Sequence, residues 1–299
     1  MMFSAIVLTM DKNIIVVTGG AGFVGSHLIE ALVKDPNNQV ISLDNYFTGS
    51  KDNHIAGAEY REGHTKDIAT LIPETPDMIY HLGEYSRVRQ SLDEPERVWD
   101  LNMHGTLAVI EYWRKTKAKL LYAGSSTKFT DTREDGVEGR NLAPYTWAKA
   151  ANTDLVVNYA RWYDLSHVTT YFYNVYGPRE LSGKQGTVVG IFADAFRNKK
   201  PLTVSSPGTQ ERCFTHVLDT VSGILLAAEK GEGDGYGIGA DDCCTLLDIA
   251  EMLGSEIKML PQTKSTRSTS NVDARKIIEL GWKPKYALKD YIEEIKNTK

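Results

Sequence analysis

Cysteine is scarce in this sequence of 299 residues, with three in all. Cys243 and Cys244 are adjacent and the third is Cys213, a spacing that suits neither an ordinary disulfide framework nor a zinc site. We therefore expect a reducing, cytoplasmic compartment and no metal site.

Long apolar runs and basic tracts are also lacking. The run from Phe3 to Leu8 is too short to span a membrane, and no later segment reaches that length. The net charge of −5, with basic residues scattered, argues against nucleic acid as a partner. We therefore expect neither a membrane nor a nucleic acid as partner. The length predicts one large domain with a smaller one, and a hydrophobic fraction of 41% is ordinary for a globular protein.

A glycine-rich stretch near the N-terminus is the strongest local pattern. Residues Ile14–Thr18 are apolar or β-branched without alternation, which predicts a parallel strand buried on both faces. Gly20, Gly22 and Gly25 follow as Gly-x-Gly-x-x-Gly and open a predicted helix. This arrangement lets backbone N–H groups and the helix N-terminus approach a pyrophosphate, so it predicts a dinucleotide site.

Acidic residues after the next strands extend this prediction. The strand Gln39–Leu43 ends in Asp44, where a carboxylate should meet a ribose 2′-hydroxyl, and Asn45 begins a loop over the adenosine. Further on, Asp67 could accept from an adenine amino group while Ile68 packs on the ring. Asp67 could equally be a helix N-cap, and both interpretations stay open.

The fourth predicted strand, Asp77–Leu82, leads into Gly83, which would allow close approach to a cofactor. We interpret His81 as a core histidine with satisfied hydrogen bonds. Asn102 interrupts the apolar positions of a long predicted helix over Glu94–Trp113 and is expected to order a buried active-site floor.

Candidate catalytic residues follow the fifth predicted strand, Lys119–Ala123. Ser125 lies at its C-terminal end, the edge where open α/β sheets bind ligands. Pro144 begins a helix that carries Tyr145 and Lys149 four positions apart, hence on one face. An ammonium at that distance favours the ionised phenol, whereas the alternative is a surface tyrosine beside a solvated lysine.

In its order of motifs, the sequence from Asn13 onward resembles the extended short-chain dehydrogenases/reductases, and within them the NAD-dependent nucleotide-sugar epimerases and dehydratases. The motifs are the glycine loop, Asp44, Asp67, Ser125, Tyr145 and Lys149. The resemblance implies an α/β fold with a Rossmann doubly wound parallel sheet and a smaller C-terminal α/β domain. The NAD-binding domain would span residues 1–174, with a return segment near 213–242, and an interleaved nucleotide-sugar domain would span 175–299.

The resemblance also implies roles for individual residues. The catalytic set would be Ser125, Tyr145 and Lys149. NAD would be bound by Gly19, Gly22, Phe23, Val24, Gly25, Asp44, Asn45, Asp67, Ile68, Leu82, Gly83, Asn102, Tyr145 and Lys149. A nucleotide-diphosphate sugar, expected to be a UDP-sugar, would contact Glu84, Ser126, Thr127, Asn174, Arg179, Arg212 and Arg267. A homodimer would form through the helices near residues 98–113 and 145–162.

Two departures from the family pattern bear on the function: one at Ser126 and Thr127, and the other at residues 84–87, Glu-Tyr-Ser-Arg, where the family has small residues. Ser126 and Thr127 stand where the dehydratases carry Asp-Glu, so no carboxylate is available there for C5 chemistry, which favours epimerisation at C4. The alternatives are a 4,6-dehydratase, a 4-keto-sugar reductase and a non-catalytic dinucleotide sensor. Arg87 is expected to pair with Glu84, and alternatively with a substrate carboxylate such as that of a uronic acid.

Overall fold

The computed structural model describes residues 12–126, 139–261 and 273–298. Its strands are β1 Asn13–Thr18, β2 Asn38–Asp44, β3 Ala58–Glu62, β4 Met78–His81, β5 Lys119–Ser125, β6 His167–Phe172, β7 Val175–Tyr176, β8 Leu202–Ser205, β9 Glu211–His216, β10 Gly233–Ile238, β11 Asp242–Thr245 and β12 Ile257–Leu260. Its α-helices are α1 Phe23–Leu32, α2 Ile68–Leu71, α3 Pro95–Val98, α4 Gly105–Thr116, α5 Pro144–Tyr163, α6 Val188–Arg197, α7 Val217–Lys230, α8 Leu246–Leu253, α9 Arg275–Glu279 and α10 Leu288–Asn297. Within these described ranges, no helix combines the length and the apolar character needed to cross a bilayer.

Seven of the strands form one parallel sheet in the order β10-β6-β5-β4-β1-β2-β3. The chain runs outward from β1 to β3, returns to β4 beside β1 and continues in the other direction, which is the doubly wound arrangement. The predicted fold class is confirmed. Strand β10 arrives from late in the chain and closes the edge beside β6.

Helices cover both faces of this sheet because its strands are apolar on both sides. On one face α1 and α7 contribute Leu28 and Ile224 to a core with Val17 of β1. On the other face α4 and α5 contribute Trp113 and Val156 to a second core. The C-terminal ends of the strands therefore remain the open edge at which a ligand can bind.

The long helix predicted over Glu94–Trp113 is wrong as a continuous α-helix. The structure has the short α3, then a π-helical stretch over Trp99–His104, and then α4. The wider turn carries the buried Asn102, whose amide bonds to the backbone of a neighbouring loop. Apolar periodicity does not distinguish such a turn from an ordinary helix.

A smaller α/β unit contains the other strands, which form the sheets β11-β9-β7 and β12-β8, with α6, α8 and α10. Cys213 and Cys243 stand directly opposite each other on the antiparallel pair β9 and β11 and are joined by a disulfide. The expectation that the cysteines suit no disulfide is therefore wrong. Thirty positions separate the two residues, and their proximity comes from strand pairing that the local spacing does not reveal.

Candidate active site

A cavity of about 610 Å³ lies at the C-terminal edge of the main sheet, where the smaller unit faces it. It is lined from the sheet side by the glycine loop and the ends of β2, β4 and β5, and from the other side by residues of the smaller unit. The predicted site residues that line it are Gly19, Gly22, Phe23, Val24, Gly25, Asp44, Asn45, Leu82, Gly83, Glu84, Ser125, Ser126, Tyr145, Lys149, Asn174 and Arg212.

The glycine loop after β1 brings its backbone close to the start of α1. Gly19 has φ +74°, a conformation that side chains other than glycine rarely adopt. A Cβ on Gly25 would lie 2.1 Å from the carbonyl oxygen of Gly19, so the helix can pack this closely on the loop only if residue 25 is glycine. The positive end of the ten-residue α1 thus faces the cavity, which fits the binding of a pyrophosphate.

Asp44 ends β2 at the same edge, next to the glycine loop. Its carboxylate accepts hydrogen bonds from the N–H groups of Ala21, at 2.9 Å, and Tyr46, at 2.8 Å. Burial raises the pKa of Asp44, and these two hydrogen bonds oppose that shift in part. With the adjacent Asn45 also on the cavity wall, the residues fit the adenosine ribose of a dinucleotide.

Of the two predicted adenine contacts, that of Ile68 is wrong and that of Asp67 stays a prediction. Ile68 is fully buried in the core that contains Ile41 and Trp113, so its side chain cannot pack on a ligand in the cavity. Asp67 is exposed and occupies the N-cap position of α2, the alternative that the sequence left open, although its side chain makes no capping hydrogen bond. Gly63 and Thr65 line this part of the cavity instead, because a short turn separates β3 from α2.

A loop of tightly held backbone follows β4. The hydroxyl oxygen of Thr18 accepts from the N–H groups of Leu82, at 3.2 Å, and Gly83, at 3.0 Å. The amide of Asn102 accepts from the N–H of Tyr85 at 2.7 Å and donates to its carbonyl at 3.0 Å. Asn102 therefore positions this loop, which agrees with its predicted role in ordering the floor of the active site. It does not line the cavity, as a residue that binds the cofactor would.

The three predicted catalytic residues meet in the cavity. Ser125 is the last residue of β5, and Tyr145 and Lys149 lie one turn apart near the start of α5. The Tyr145 hydroxyl donates to Ser125 Oγ at 3.4 Å. Lys149 is 4% exposed, so the alternative of a solvated lysine does not hold.

Glu84 forms an ion pair with Lys149, and both side chains are buried. Lys149 also donates to the carbonyl oxygen of Ala123. Burial by itself would raise the pKa of Glu84, but the charges of Lys149 and His81 and the hydrogen bonds from Lys149 and Thr106 together outweigh it, and the net shift is downward. The expected Glu84–Arg87 pair is therefore wrong, because Glu84 is committed to Lys149.

The other carboxylate oxygen of Glu84 is also fully used. It accepts from Thr106 at 2.8 Å, from Asn152 at 2.9 Å and from Tyr122 at 3.3 Å. Glu84 thus borders the cavity with its oxygens turned toward protein donors. Its predicted role as a substrate ligand gives way to that of a counterion for Lys149.

His81 continues this buried network toward the glycine loop. One ring nitrogen lies 2.7 Å from Thr18 Oγ1 and the other 2.9 Å from Thr106 Oγ1, which in turn donates to Glu84. Burial lowers the pKa of His81 to about 4, so the ring is neutral near pH 7. The interpretation of His81 as a satisfied core histidine is confirmed.

The predicted substrate ligands divide into three groups. Ser126, Asn174 and Arg212 line the cavity. Thr127 and Arg267 lie outside the described residues. The third group consists of Arg179 and Glu84, whose side chains form ion pairs within the protein.

Arg179 is drawn away from the cavity. Its guanidinium forms an ion pair with Glu30 at 2.6 Å and lies 3.4 Å from the hydroxyl of Ser26, both on α1. Arg179 does not line the cavity, so its predicted contact with the substrate diphosphate is wrong. A charge that follows Gly-Pro in the sequence does not reveal which acidic residue will face it.

Comparisons with known proteins agree with this geometry. The chain is 32% identical over 295 residues to UDP-glucuronic acid decarboxylase 6 of Arabidopsis thaliana, covering 92% of this chain and 85% of the plant protein. It is 30% identical over 299 residues to a putative UDP-glucose 4-epimerase of Methanocaldococcus jannaschii, covering 95% and 97%. The solved structure of UDP-glucose 4-epimerase from Thermotoga maritima superposes with a TM-score of 0.86 at 28% identity, covering 95% and 99%.

Residues 15–239 match the model of the NAD dependent epimerase/dehydratase family. The resemblance inferred from the motifs and the predicted cofactor, NAD, are both confirmed by this match, and the glycine loop and Asp44 line the cavity in which NAD would bind. The chain belongs to the NAD dependent epimerase/dehydratase family of enzymes.

Proposed function

We propose that this protein epimerises the sugar of a nucleotide-diphosphate sugar at C4, through a transient 4-keto intermediate. The observation that carries the proposal is the hydrogen bond from the Tyr145 hydroxyl to Ser125, in a cavity that also contains the glycine loop. A proton acceptor and a hydroxyl donor then stand together where a dinucleotide and a sugar can meet.

The relatives support a nucleotide sugar as the substrate class. Those reported above are named for UDP-glucuronic acid or UDP-glucose, although the named reactions are decarboxylation in one case and 4-epimerisation in the others. We therefore propose a UDP-sugar as substrate. Arg212 on the cavity wall would hold the diphosphate, and the matching role of Arg267 rests on the sequence alone.

The residues that would hold NAD are those of the glycine loop and Asp44. When bound, NAD⁺ supplies a hydride acceptor for C4 of the sugar and, as NADH, the donor that returns it. Lys149 has three ammonium donors, of which Glu84 and the carbonyl of Ala123 take two among the described residues. The third can bind a hydroxyl of the nicotinamide ribose.

Proton transfer is the task of the chain itself. Tyr145, as the phenolate, accepts the proton of the 4-hydroxyl and gives it back when the alcohol is re-formed on the other face. Ser125 donates to the same sugar oxygen and so fixes it against the phenol. The buried Lys149 lies one helical turn from Tyr145 on the same face of α5.

The structure offers little support for a dehydratase. Ser126 borders the cavity at the position where that reaction needs a carboxylic acid beside the catalytic serine. Glu84 is a nearby carboxylate, but both of its oxygens accept hydrogen bonds from the protein. Among the residues described beside Ser125, no carboxylate is therefore left to take the C5 proton.

Two of the long helices also support the proposal of a homodimer. Leu107 on α4 and Trp147, Val157 and Trp162 on α5 are large apolar residues with 36–57% of their surface exposed. A second copy packing on α4 and α5 would cover them in a four-helix bundle. Light scattering should give twice the mass of 33.3 kDa, and a monomer at micromolar concentration would contradict the proposal.

The direct test of the chemistry replaces Tyr145. Tyr145→Phe should reduce turnover by roughly 10²–10⁴-fold while NAD binding, measured by calorimetry, is retained. Tyr163→Phe, at the exposed end of the same helix, serves as the matched control and should be fully active. Retained turnover in Tyr145→Phe would remove this residue from the proposal.

Product analysis separates the alternative reactions. The protein is incubated with NAD⁺ and a panel of UDP-sugars, and products are identified by mass spectrometry and NMR. Epimerisation conserves mass, dehydration removes one water and decarboxylation removes carbon dioxide. A non-catalytic sensor would bind NAD and convert none of the sugars, although such a protein has no need of Ser125, Tyr145 and Lys149 together.

A further inference from the structure

Arg87 is a cation on the wall of the proposed sugar pocket. It lies in the loop after β4 and lines the same cavity as Ser125 and Tyr145. Its guanidinium is close enough to the Tyr145 phenol for the two to interact electrostatically. A sugar positioned for chemistry at Tyr145 therefore comes within reach of this charge.

The contacts that fix Arg87 are with neutral groups. Its Nε donates to the carbonyl oxygen of Gln185 at 2.7 Å, and Nη1 donates to the carbonyl and hydroxyl oxygens of Ser86 at 3.0 and 3.1 Å. Nη2 has no hydrogen-bond partner among the described residues, and the same residues supply no carboxylate within salt-bridge distance. The side chain is thus oriented by backbone while its charge is left uncompensated.

Two carboxylates, Glu84 in the same loop and Glu180, do not neutralise this arginine. Glu84 is committed to Lys149. Glu180 is electrostatically coupled to Arg87 without an ion pair, and burial raises the pKa of Glu180 to about 7, so it carries only part of a charge near neutral pH. A positive charge of fixed orientation therefore remains in the pocket.

We propose that Arg87 binds a carboxylate of the sugar, and that the substrate is consequently a nucleotide-linked uronic acid or another acidic sugar. A guanidinium that is partly withdrawn from water gains most from an anion that it can contact through a charge-assisted hydrogen bond. A neutral sugar would cover the charge without compensating it, which is unfavourable. This inference rests on the proposed function, since it assumes a sugar beside Tyr145.

A different role for Arg87 would be to stabilise the phenolate of Tyr145 directly. The two roles make opposite kinetic predictions. A carboxylate ligand affects KM and only for acidic sugars, whereas a phenolate stabiliser affects kcat and its pH profile for every sugar.

The experiment compares UDP-glucuronic acid with UDP-glucose in the NAD-loaded enzyme. Arg87→Gln should raise KM, and the Kd from calorimetry, for UDP-glucuronic acid by roughly 10–100-fold and leave those for UDP-glucose within about threefold. Arg89→Gln removes an equal charge from an exposed position two residues on and should change neither sugar. Thermal unfolding of both variants establishes that they are folded.

The outcomes also distinguish this inference from the proposed function. Equal losses of kcat on both sugars in Arg87→Gln, or tight binding and turnover of UDP-glucose with no preference for the acid, would overturn the carboxylate site while epimerisation stands. Selective binding of UDP-glucuronic acid that depends on Arg87, without any C4 inversion, would support the carboxylate site and overturn the reaction instead.

Discussion

The two ends of the cavity are built in different ways. The nucleotide end consists of the glycine loop, residues 19–25, and Asp44, and it is made of backbone from adjacent elements. The sugar end consists of the loop 83–87 with Ser125 and Tyr145, and its side chains come from elements far apart in the chain. Local sequence therefore specifies the first end, whereas tertiary partners decide what each residue does at the second.

Glu84 illustrates the difference most clearly. In sequence it is an acid near an arginine, and the nearer partner is the natural expectation. In the fold its partner is Lys149, 65 positions away, and Arg87 is left for another ligand.

Glu84→Gln should lower the free energy of unfolding by about 3 kcal/mol, because it leaves the buried ammonium of Lys149 without a counterion. Lys149→Met should be destabilising for the converse reason, and the double variant should recover much of the loss. Strictly additive effects in this cycle, measured by urea denaturation, would show that the pair is not coupled.

The stability difference between the parent protein and Glu84→Gln should depend on pH. Because the pKa of Glu84 is lowered from 4.5 in the folded protein, its stabilisation is fully present above about pH 4.5 and is lost as the pH falls through the folded value. The gap in stability between the parent and Glu84→Gln should therefore be constant from pH 5 to 7 and narrow in more acid solution. A gap that widened in acid would contradict the assignment.

Gly25→Ala tests the close packing of backbone at the nucleotide end. The added Cβ would lie 2.1 Å from the carbonyl oxygen of Gly19, so the loop and the helix must separate. We expect the free energy of unfolding to fall by about 2 kcal/mol and NAD binding to become undetectable. Gly22→Ala, whose Cβ would have 3.1 Å to the same oxygen, is the milder control for stability. Equal thermal stability of the two variants would argue against this packing.

Asp44→Asn should weaken NAD binding by roughly tenfold and reduce the preference for NAD over NADP, since the amide loses a negative charge and one acceptor. Asp67→Asn is the matched control and should leave the Kd for NAD within about twofold, because Asp67 does not line the cavity. A larger effect at Asp67 than at Asp44 would restore the adenine contact that the structure does not support.

Arg179→Gln should have the smallest effect. Its ion pair with Glu30 is partly exposed, so stability should fall by less than about 1 kcal/mol and the KM for a UDP-sugar should not change. Arg212→Gln, on the cavity wall, should raise that KM. A rise in KM for Arg179→Gln alone would return Arg179 to the substrate site.

The features that could be predicted from sequence are those with a local physical cause. The apolar run of β1, the proline at the start of α5 and the glycine loop can each be recognised within a few residues. Tyr145 and Lys149 lie on one face because helix geometry places residues four apart together.

The features that could not be predicted depend on partners distant in sequence. Hydrophobic periodicity could not show the π-helical stretch around Asn102. The side chain of Asn102 bonds there to the loop at Tyr85, which is distant in sequence. Nor could spacing show the bond between Cys213 and Cys243, which strand pairing brings together. The shift of the cavity wall from Ile68 to Thr65 follows from one short turn after β3, below the precision of element boundaries read from sequence.

A sugar labelled with deuterium at C4 distinguishes C4 epimerisation from the alternative reactions in one assay. UDP-glucose and UDP-glucuronic acid, each deuterated at C4, are incubated with the enzyme and NAD⁺, and the products are examined by NMR and mass spectrometry. For C4 epimerisation we predict inversion at C4, with the deuterium retained and the mass of the sugar unchanged. A product that has lost water or carbon dioxide, or no conversion of either sugar with the cofactor bound, would contradict C4 epimerisation.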